Sequence, residues 1–236
     1  MVQRSLISDQ DKVQIKRTFR KDLKADVYLG FFTHHPSLLT VPVRECPSGP
    51  QAQQLLEELS ALSPKLHLEI FDFFAKRDVA DQFGVDKIPA VAVGRMHSAT
   101  VTFYGTPNGY ELATIVEDIK TVSRGVTPLS MDTRKKLRQL EQQINIQVFV
   151  TPTCTYSPLM ARLVHAVDLE SPLVKSDVIE IQEFPALGQR LGIQSVPMTI
   201  INDTIRLAGT VSEPELIEKI LQVGTSRINA EYEDSD

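Results

Sequence analysis

The chain carries two cysteines, and each lies 43 residues ahead of an apolar-Pro-apolar step: Cys46 before Pro89, and Cys154 before Pro197. The text around the prolines repeats, with Gly84-Val85-Asp86-Lys87-Ile88-Pro89 set against Gly192-Ile193-Gln194-Ser195-Val196-Pro197. Sulfur, spacing and surrounding text agreeing together mark one unit written twice. The fold must therefore be one that can be duplicated within 236 residues, a length that lets each of two small domains close its own core.

The halves read in the same order. The first opens with an amphipathic stretch from Asp11 to Lys21, followed by the apolar strand Val27 to Phe32 and then Cys46. Leu55, Leu56, Leu59 and Leu62 recur at helical spacing, and Leu66 to Ile70 alternates as a half-exposed strand does. A helical piece from Asp78 to Phe83 leads to Pro89, the run Ala90 to Val93, a turn near Gly94 and a second strand from Thr100 to Tyr104. Asn108 and Glu111 have the spacing of a capping box for a helix reaching Val122.

In the second half, the spacing predicts a helix over Asp132 to Gln142, a strand over Ile144 to Val150, and a helix marked by Leu159, Leu163, Val164 and Val167 after Cys154. A strand over Val178 to Ile181 and a helical piece lead to Pro197 and Met198 to Ile201, with Asn202-Asp203 as a hairpin turn before Ile205 to Leu207. Ser212 and Glu215 form a second capping box. The order α-β-α-β-α-β-β-α, twice, implies an α/β fold with a mixed central sheet flanked by helices. Expected domains span 11–122 and 129–224, joined through the breaker-rich Ser123 to Pro128, with 225–236 as an acidic flexible tail.

Charge narrows the function classes. The net of −5 includes Glu231, Glu233, Asp234 and Asp236, in a terminal stretch without Lys or Arg, so the rest is near neutral. A nucleic-acid partner would need a clustered basic surface. No apolar run follows Met1 to Leu6, so neither a secretory signal nor a membrane span is expected. Two cysteines are too few for a disulfide framework, and a reducing, cytoplasmic setting follows as the expectation.

With a cysteine at the head of the second helix and a proline before the third strand, the chain resembles the glutaredoxin-like protein disulfide oxidoreductases, which carry two tandem thioredoxin folds. The resemblance covers roughly Asp11 to Val223 and rests on Phe149 to Pro158, on Tyr104-Gly105-Thr106-Pro107-Asn108-Gly109-Tyr110-Glu111, and on both proline steps. The amino-terminal domain of the flavin-containing alkyl hydroperoxide reductase subunit is similar too, although no Gly-rich flavin-binding segment follows here. The resemblance implies a cis Pro197 beside the Cys154 sulfur and an incoming peptide held at Val196. Tyr156 becomes a wall of the site, with Ile88 and Pro89 as the matching edge of the first half.

A thiolate performs thiol–disulfide exchange, and an ordinary cysteine near pKa ~8.5 supplies little of it at neutral pH. Cys154 lies just before a helix whose first turn tolerates Pro158, where unpaired N–H groups favour an anion. The related sites read Cys-x-x-Cys; here the text is Cys154-Thr155-Tyr156-Ser157. Ser157 can donate a hydrogen bond to a thiolate but cannot resolve a mixed disulfide, so an external thiol such as glutathione must do so. The position six residues before Cys154, an acid in thioredoxins, is Val148, which sends the proton to solvent.

Cys46 is weaker as a nucleophile: Gly49 stands at its resolving position, and a longer excursion, His34 to about Val43, precedes it. A Cys46–Cys154 disulfide is not expected, because side-by-side domains separate the helix heads. His34-His35 reads as a solvated loop, His67 as surface, and His97 and His165 have no partners in sequence; no metal site is expected. The expected function is thiol–disulfide exchange through Cys154 as a monothiol, without a bound cofactor. Its partners would be protein thiols or disulfides, with a small thiol or a thioredoxin-reductase-like protein as reductant. The alternatives are a redox-inactive peptide-binding module using the Pro197 groove and a redox sensor whose thiol is capped under oxidative stress. Ser157 and Gly49 are what separate these readings, since decay would remove both resolving sulfurs.

Overall fold

A computed structural model describes residues 4–34, 46–96 and 100–230. The first half runs α1 (Asp9–Asp22), β1 (Val27–Thr33), α2 (Gly49–Ser60), β2 (Leu66–Asp72), α3 (Arg77–Phe83), β3 (Ala90–Gly94), β4 (Thr100–Tyr104) and, after a single 3-10 turn (Gly109–Glu111), α4 (Leu112–Arg124). The second runs α5 (Met131–Leu137), β5 (Ile144–Val150), α6 (Ser157–Glu170), β6 (Val174–Glu180), α7 (Pro185–Leu191), β7 (Met198–Ile201), β8 (Ile205–Ala208) and α8 (Glu213–Ala230).

Local chemistry accounts for many of the boundaries. Ser8 caps α1 by accepting the Asp11 N–H, with Asp9 and Asp11 in the first turn and Arg20 and Lys21 in the last, complementing the helix dipole. α3 and α7 both stop on a left-handed glycine, Gly84 and Gly192. Asn202 and Asp203 take positive φ in the turn closed by the Thr204 N–H on the Ile201 carbonyl.

The duplication extends to individual hydrogen bonds. Val27 N–H donates to Lys65 O at 2.8 Å and Ile144 N–H to Leu173 O at 2.7 Å; Gly105 N–H donates to Pro89 O and Gly209 N–H to Pro197 O, both at 2.8 Å. In each half the first strand lies between a parallel and an antiparallel partner: β2 and β3 around β1, β6 and β7 around β5.

The two halves share one eight-stranded mixed sheet, in the order β2-β1-β3-β4-β6-β5-β7-β8. The joint is the parallel pair β4–β6, with Thr102, Phe103 and Tyr104 beside Asp177, Val178 and Ile179. Helices cover both faces. One face packs Phe19 of α1, Leu56 of α2, Ile115 of α4, Ala161 of α6 and Leu216 of α8 into a single cluster, while Ala80 of α3 and Leu187 of α7 belong to the cluster on the other. Both clusters run across the joint. Each large apolar side chain buried there contributes about 1.5–3 kcal/mol, so the seam is a core in its own right.

Several sequence expectations need correction. Asn108 makes no side-chain cap, and Glu111, instead of reaching back to it, is buried and accepts from Thr114 Oγ1 at 2.7 Å. α5 ends at Leu137 rather than Gln142, tightening through Gln139 N–H to Lys136 O and Leu140 N–H to Leu137 O. β6 begins at Val174, hidden from a pattern search because the polar Ser176 points inward to Asp168. α8 continues to Ala230, through 225–230 of the expected tail. The excursion before Cys46, apart from His34, lies outside the described residues, as do His35, His97 and 231–236.

Candidate thiol site

The strand β5 ends at Val150, and the Cys154 N–H bonds to Thr151 O at 3.2 Å, turning the chain into α6 at Ser157. Pro158 occupies the first turn, where a missing N–H costs nothing. At the head of β7, the antiparallel neighbour of β5, lies the Val196-Pro197 peptide, which is cis. The Cys154 thiol donates to Val196 O at 3.6 Å. Cys154, Tyr156, Ser157, Val196 and Pro197 are therefore brought together.

Burial pushes the Cys154 thiol up, but the Ser157 hydroxyl and the N–H groups of Tyr156 and Ser157 outweigh it, and the thiol is held below its ordinary value. The Glu111 carboxylate pulls the other way. Ser157 Oγ is fully buried with no other partner, so its proton is available to the Cys154 anion. Around this polar centre the surface is apolar and open: Tyr156 is 63% exposed, Leu159 52% and Tyr110 51%.

Glu111 is a candidate site residue that sequence reasoning did not single out. It belongs to the first half, yet the Tyr110 N–H next to it donates to Pro152 O at 3.0 Å, locking this turn against the Cys154 loop. Gly109 makes the approach possible. It has φ +56°, and any Cβ there would collide with the Pro152 carbonyl oxygen. Burial pushes the Glu111 carboxyl up to about 7, so near neutral pH it can hold or release a proton. Val148 is buried on β5, and the acid whose charge bears on the thiol comes from the neighbouring half. The only trace in the sequence was Glu111 at the end of the Tyr104 to Glu111 text, where it read as a helix cap.

The first half offers a different environment. Burial pushes the Cys46 thiol up, and its sulfur accepts from the Thr33 hydroxyl at 3.7 Å. A Cβ at Gly49 would lie 3.0 Å from Cys46 Sγ and far inside contact of Thr33 Oγ1; the position has no room for a resolving side chain. Glu183 of the other half accepts from the Ser48 hydroxyl and, at 2.7 Å, from the Thr106 N–H. A carboxylate thus sits by the helix head next to Cys46 and opposes ionisation of its thiol. Ile88-Pro89 is cis as well, at the head of β3. Both cysteines are free.

Two histidines depart from expectation. His34 is half-buried rather than solvated, its Nδ1 3.0 Å from Asp72. His165, without a sequence partner, is fully buried on α6 with its Nδ1 2.8 Å from Asp118 of α4. His67 is a surface residue stacked on Tyr28. Among the described residues no group of three or more His, Cys, Asp or Glu side chains could hold a metal ion, and no helix is long and apolar enough to cross a membrane.

Comparison with known proteins agrees with the geometry. Residues 144–222 match a family profile described as a thioredoxin domain. Thioredoxin from Methanocaldococcus jannaschii is 30% identical over 79 residues, which cover 33% of this chain and 93% of that protein. A Staphylococcus aureus alkyl hydroperoxide reductase subunit is 22% identical over 187 residues, 79% of this chain; the chain spans only 34% of that protein. Among solved structures, a protein disulfide oxidoreductase from Aeropyrum pernix superposes with a TM-score of 0.82 at 22% identity, covering 94% of this chain and 97% of that one. The N-terminal domain of the Enterococcus faecalis alkyl hydroperoxide reductase gives 0.80 at 23% identity, covering 90% and 99%. Both likenesses extend over the two halves.

Proposed function

The chain belongs to the thioredoxin family, and on that footing we propose that it is a thiol–disulfide oxidoreductase with Cys154 as its single nucleophile. The observation that carries the reading is the setting of that sulfur: at the head of α6, against the Val196 carbonyl, and held below the ordinary thiol range. The thiolate attacks one sulfur of a client disulfide, forming a Cys154–client disulfide and releasing the other client sulfur as a thiolate. Protonated Glu111 is the proton donor for that leaving sulfur.

Ser157 has no sulfur with which to close the cycle. An external thiolate, from glutathione, another small thiol or a thioredoxin-reductase-like partner, then attacks the client sulfur of the mixed disulfide. A new client–thiol disulfide forms and Cys154 returns as thiolate. The outcome is exchange or isomerisation, with no net change in disulfide count at this protein and no bound cofactor. Cys46 stays outside the cycle. The clients that fit are protein disulfides flanked by apolar residues, seated along the Val196-Pro197 edge and the rim of Tyr110, Tyr156 and Leu159, and a cytoplasmic setting supplies the small thiols.

The open apolar rim also supports a second reading, a peptide-binding module without chemistry. Alkylation of each cysteine against pH, followed site by site by mass spectrometry, separates the two. The exchange reading expects Cys154 to react with a midpoint below ~8.5 while Cys46 lags behind. A Cys154 that titrates like a free thiol or stays unreactive, with client peptides still retained by Cys154→Ala, favours the binding module.

A further inference from the structure

Beneath the thiol site, one face of α4 meets one face of α6 in a stripe of buried polar groups that the exchange reaction as described leaves unused. From the 3-10 turn and α4 come Glu111, Thr114 and Asp118, spaced to share a helix face; from α6 come His165 and Asp168. All five are nine-tenths or more buried. Thr114 holds Glu111 Oε2, while Asp118 Oδ2 holds His165 Nδ1 at 2.8 Å. Asp168 accepts from the Ser176 N–H at 2.6 Å and its hydroxyl at 2.9 Å on β6. Glu111 Oε1 is buried with no partner. A buried ion pair is costly to make and seldom improves stability over apolar packing, so its presence directly behind a redox site calls for another account.

We propose that the buried Asp118–His165 pair is a positioning element of the thiol site, one that sets the charge of Glu111 and through it the ease with which Cys154 ionises. This inference rests on the reading of Cys154 as the nucleophile. The imidazolium, kept protonated against burial by Asp118, with Asp168 and the Thr102 carbonyl also favouring the proton, favours the Glu111 carboxylate. Asp118 acts on Glu111 in the opposite direction and more weakly, and Arg162 on α6 adds to the effect of His165. Asp177 on β6 also feels the imidazolium. Glu111 in turn is the charge that opposes the Cys154 thiolate. Because Asp118 lies in the first half and His165 in the second, the pair also ties the reactivity of one half to correct docking of the other.

His165→Gln removes the imidazolium and keeps a polar side chain of similar volume. The Glu111 carboxyl, followed by carbon-13 NMR, is expected to titrate at least half a pH unit higher, with Asp118→Asn/His165→Gln falling between this variant and the wild type. Cys154 alkylation at pH 7 is expected to rise by up to about twofold in His165→Gln, because the half of the Glu111 population ionised at that pH in the wild type shifts toward the neutral form. In a Glu111→Gln background the same change is expected to leave the alkylation profile unmoved. A purely structural role would not produce that dependence on Glu111. An unmoved Glu111 titration in His165→Gln overturns the inference whatever Cys154 does, as does an alkylation change that survives in Glu111→Gln. Failure of the exchange reading itself shows separately, as a wild-type Cys154 no more reactive than a free thiol. Amide spectra of each folded variant, together with the double substitution, guard against reading lost structure as lost coupling.

Discussion

Gly49→Ala provides the sharpest test of the tight packing around Cys46. In an unencumbered helix this substitution stabilises, by up to about 1 kcal/mol, because alanine is the better helix former and restricts the unfolded chain. Gly49 has no positive φ to protect, so backbone strain does not enter. What opposes the gain is contact: the new Cβ would sit 3.0 Å from Cys46 Sγ and closer still to the hydroxyl of Thr33, itself fully buried on β1. Overpacking at so close a contact costs roughly 1–3 kcal/mol, leaving a net destabilisation of about 0–2 kcal/mol after the propensity gain. For a chain of this length that corresponds to a drop of up to about 8 °C in melting temperature, read by circular dichroism at a fixed scan rate. Adding Thr33→Ala, which removes the clashing oxygen, should return the melt to or above that of Thr33→Ala alone. A rise in melting temperature for Gly49→Ala by itself would refute the steric argument, since propensity would then have decided the sign.

Ser157→Cys should convert the second site into a dithiol: its Oγ is buried without a partner beside the sulfur, and mild oxidant should then remove two titratable thiols from the folded protein, against none lost to an internal bond in the wild type. Glu111→Gln tests the raised carboxyl through stability. The folded protein holds that proton up to about pH 7, whereas the unfolded chain releases it near pH ~4.3, so wild-type stability falls as pH rises through this window. The variant escapes the fall, and denaturant titrations should show it gaining about 3 kcal/mol on the wild type between pH 4 and pH 8; a constant difference would count against a buried neutral Glu111. Glu58 has the opposite sign. Despite burial, it is held well below the usual carboxylate range by Ser5, the N–H groups of Leu6 and Ile7, and Lys12. Its contribution is complete above the unfolded value and fades as pH falls toward the folded one. Glu58→Gln should therefore cost about 1–2 kcal/mol at pH 7 and progressively less as pH falls below about 4, where the unfolded chain takes up its proton first.

The sequence by itself determined the duplication, the kind and order of the elements, and the pairing of a thiol at a helix head with a proline step. Those features are local or periodic: Cys154 and Pro158 stand within one turn, left-handed glycines stop α3 and α7, and alternating apolar residues mark strands. It also showed that Ser157 and Gly49 stand three residues after the two cysteines, because that is a matter of identity alone. Tertiary structure decided everything that depends on how the halves meet. The parallel β4–β6 joint turns two sheets into one, and no periodicity within either strand names its partner. That joint carries Glu111 to Cys154, Asp118 to His165 and Glu183 to the Cys46 helix. Each pairs groups far apart in the chain that are polar and fully or partly buried, so their hydrogen-bond partners come from across the interface and leave no mark on local spacing. Glu111, whose charge bears on the thiol, thus looked like a helix cap until the second half was laid against the first.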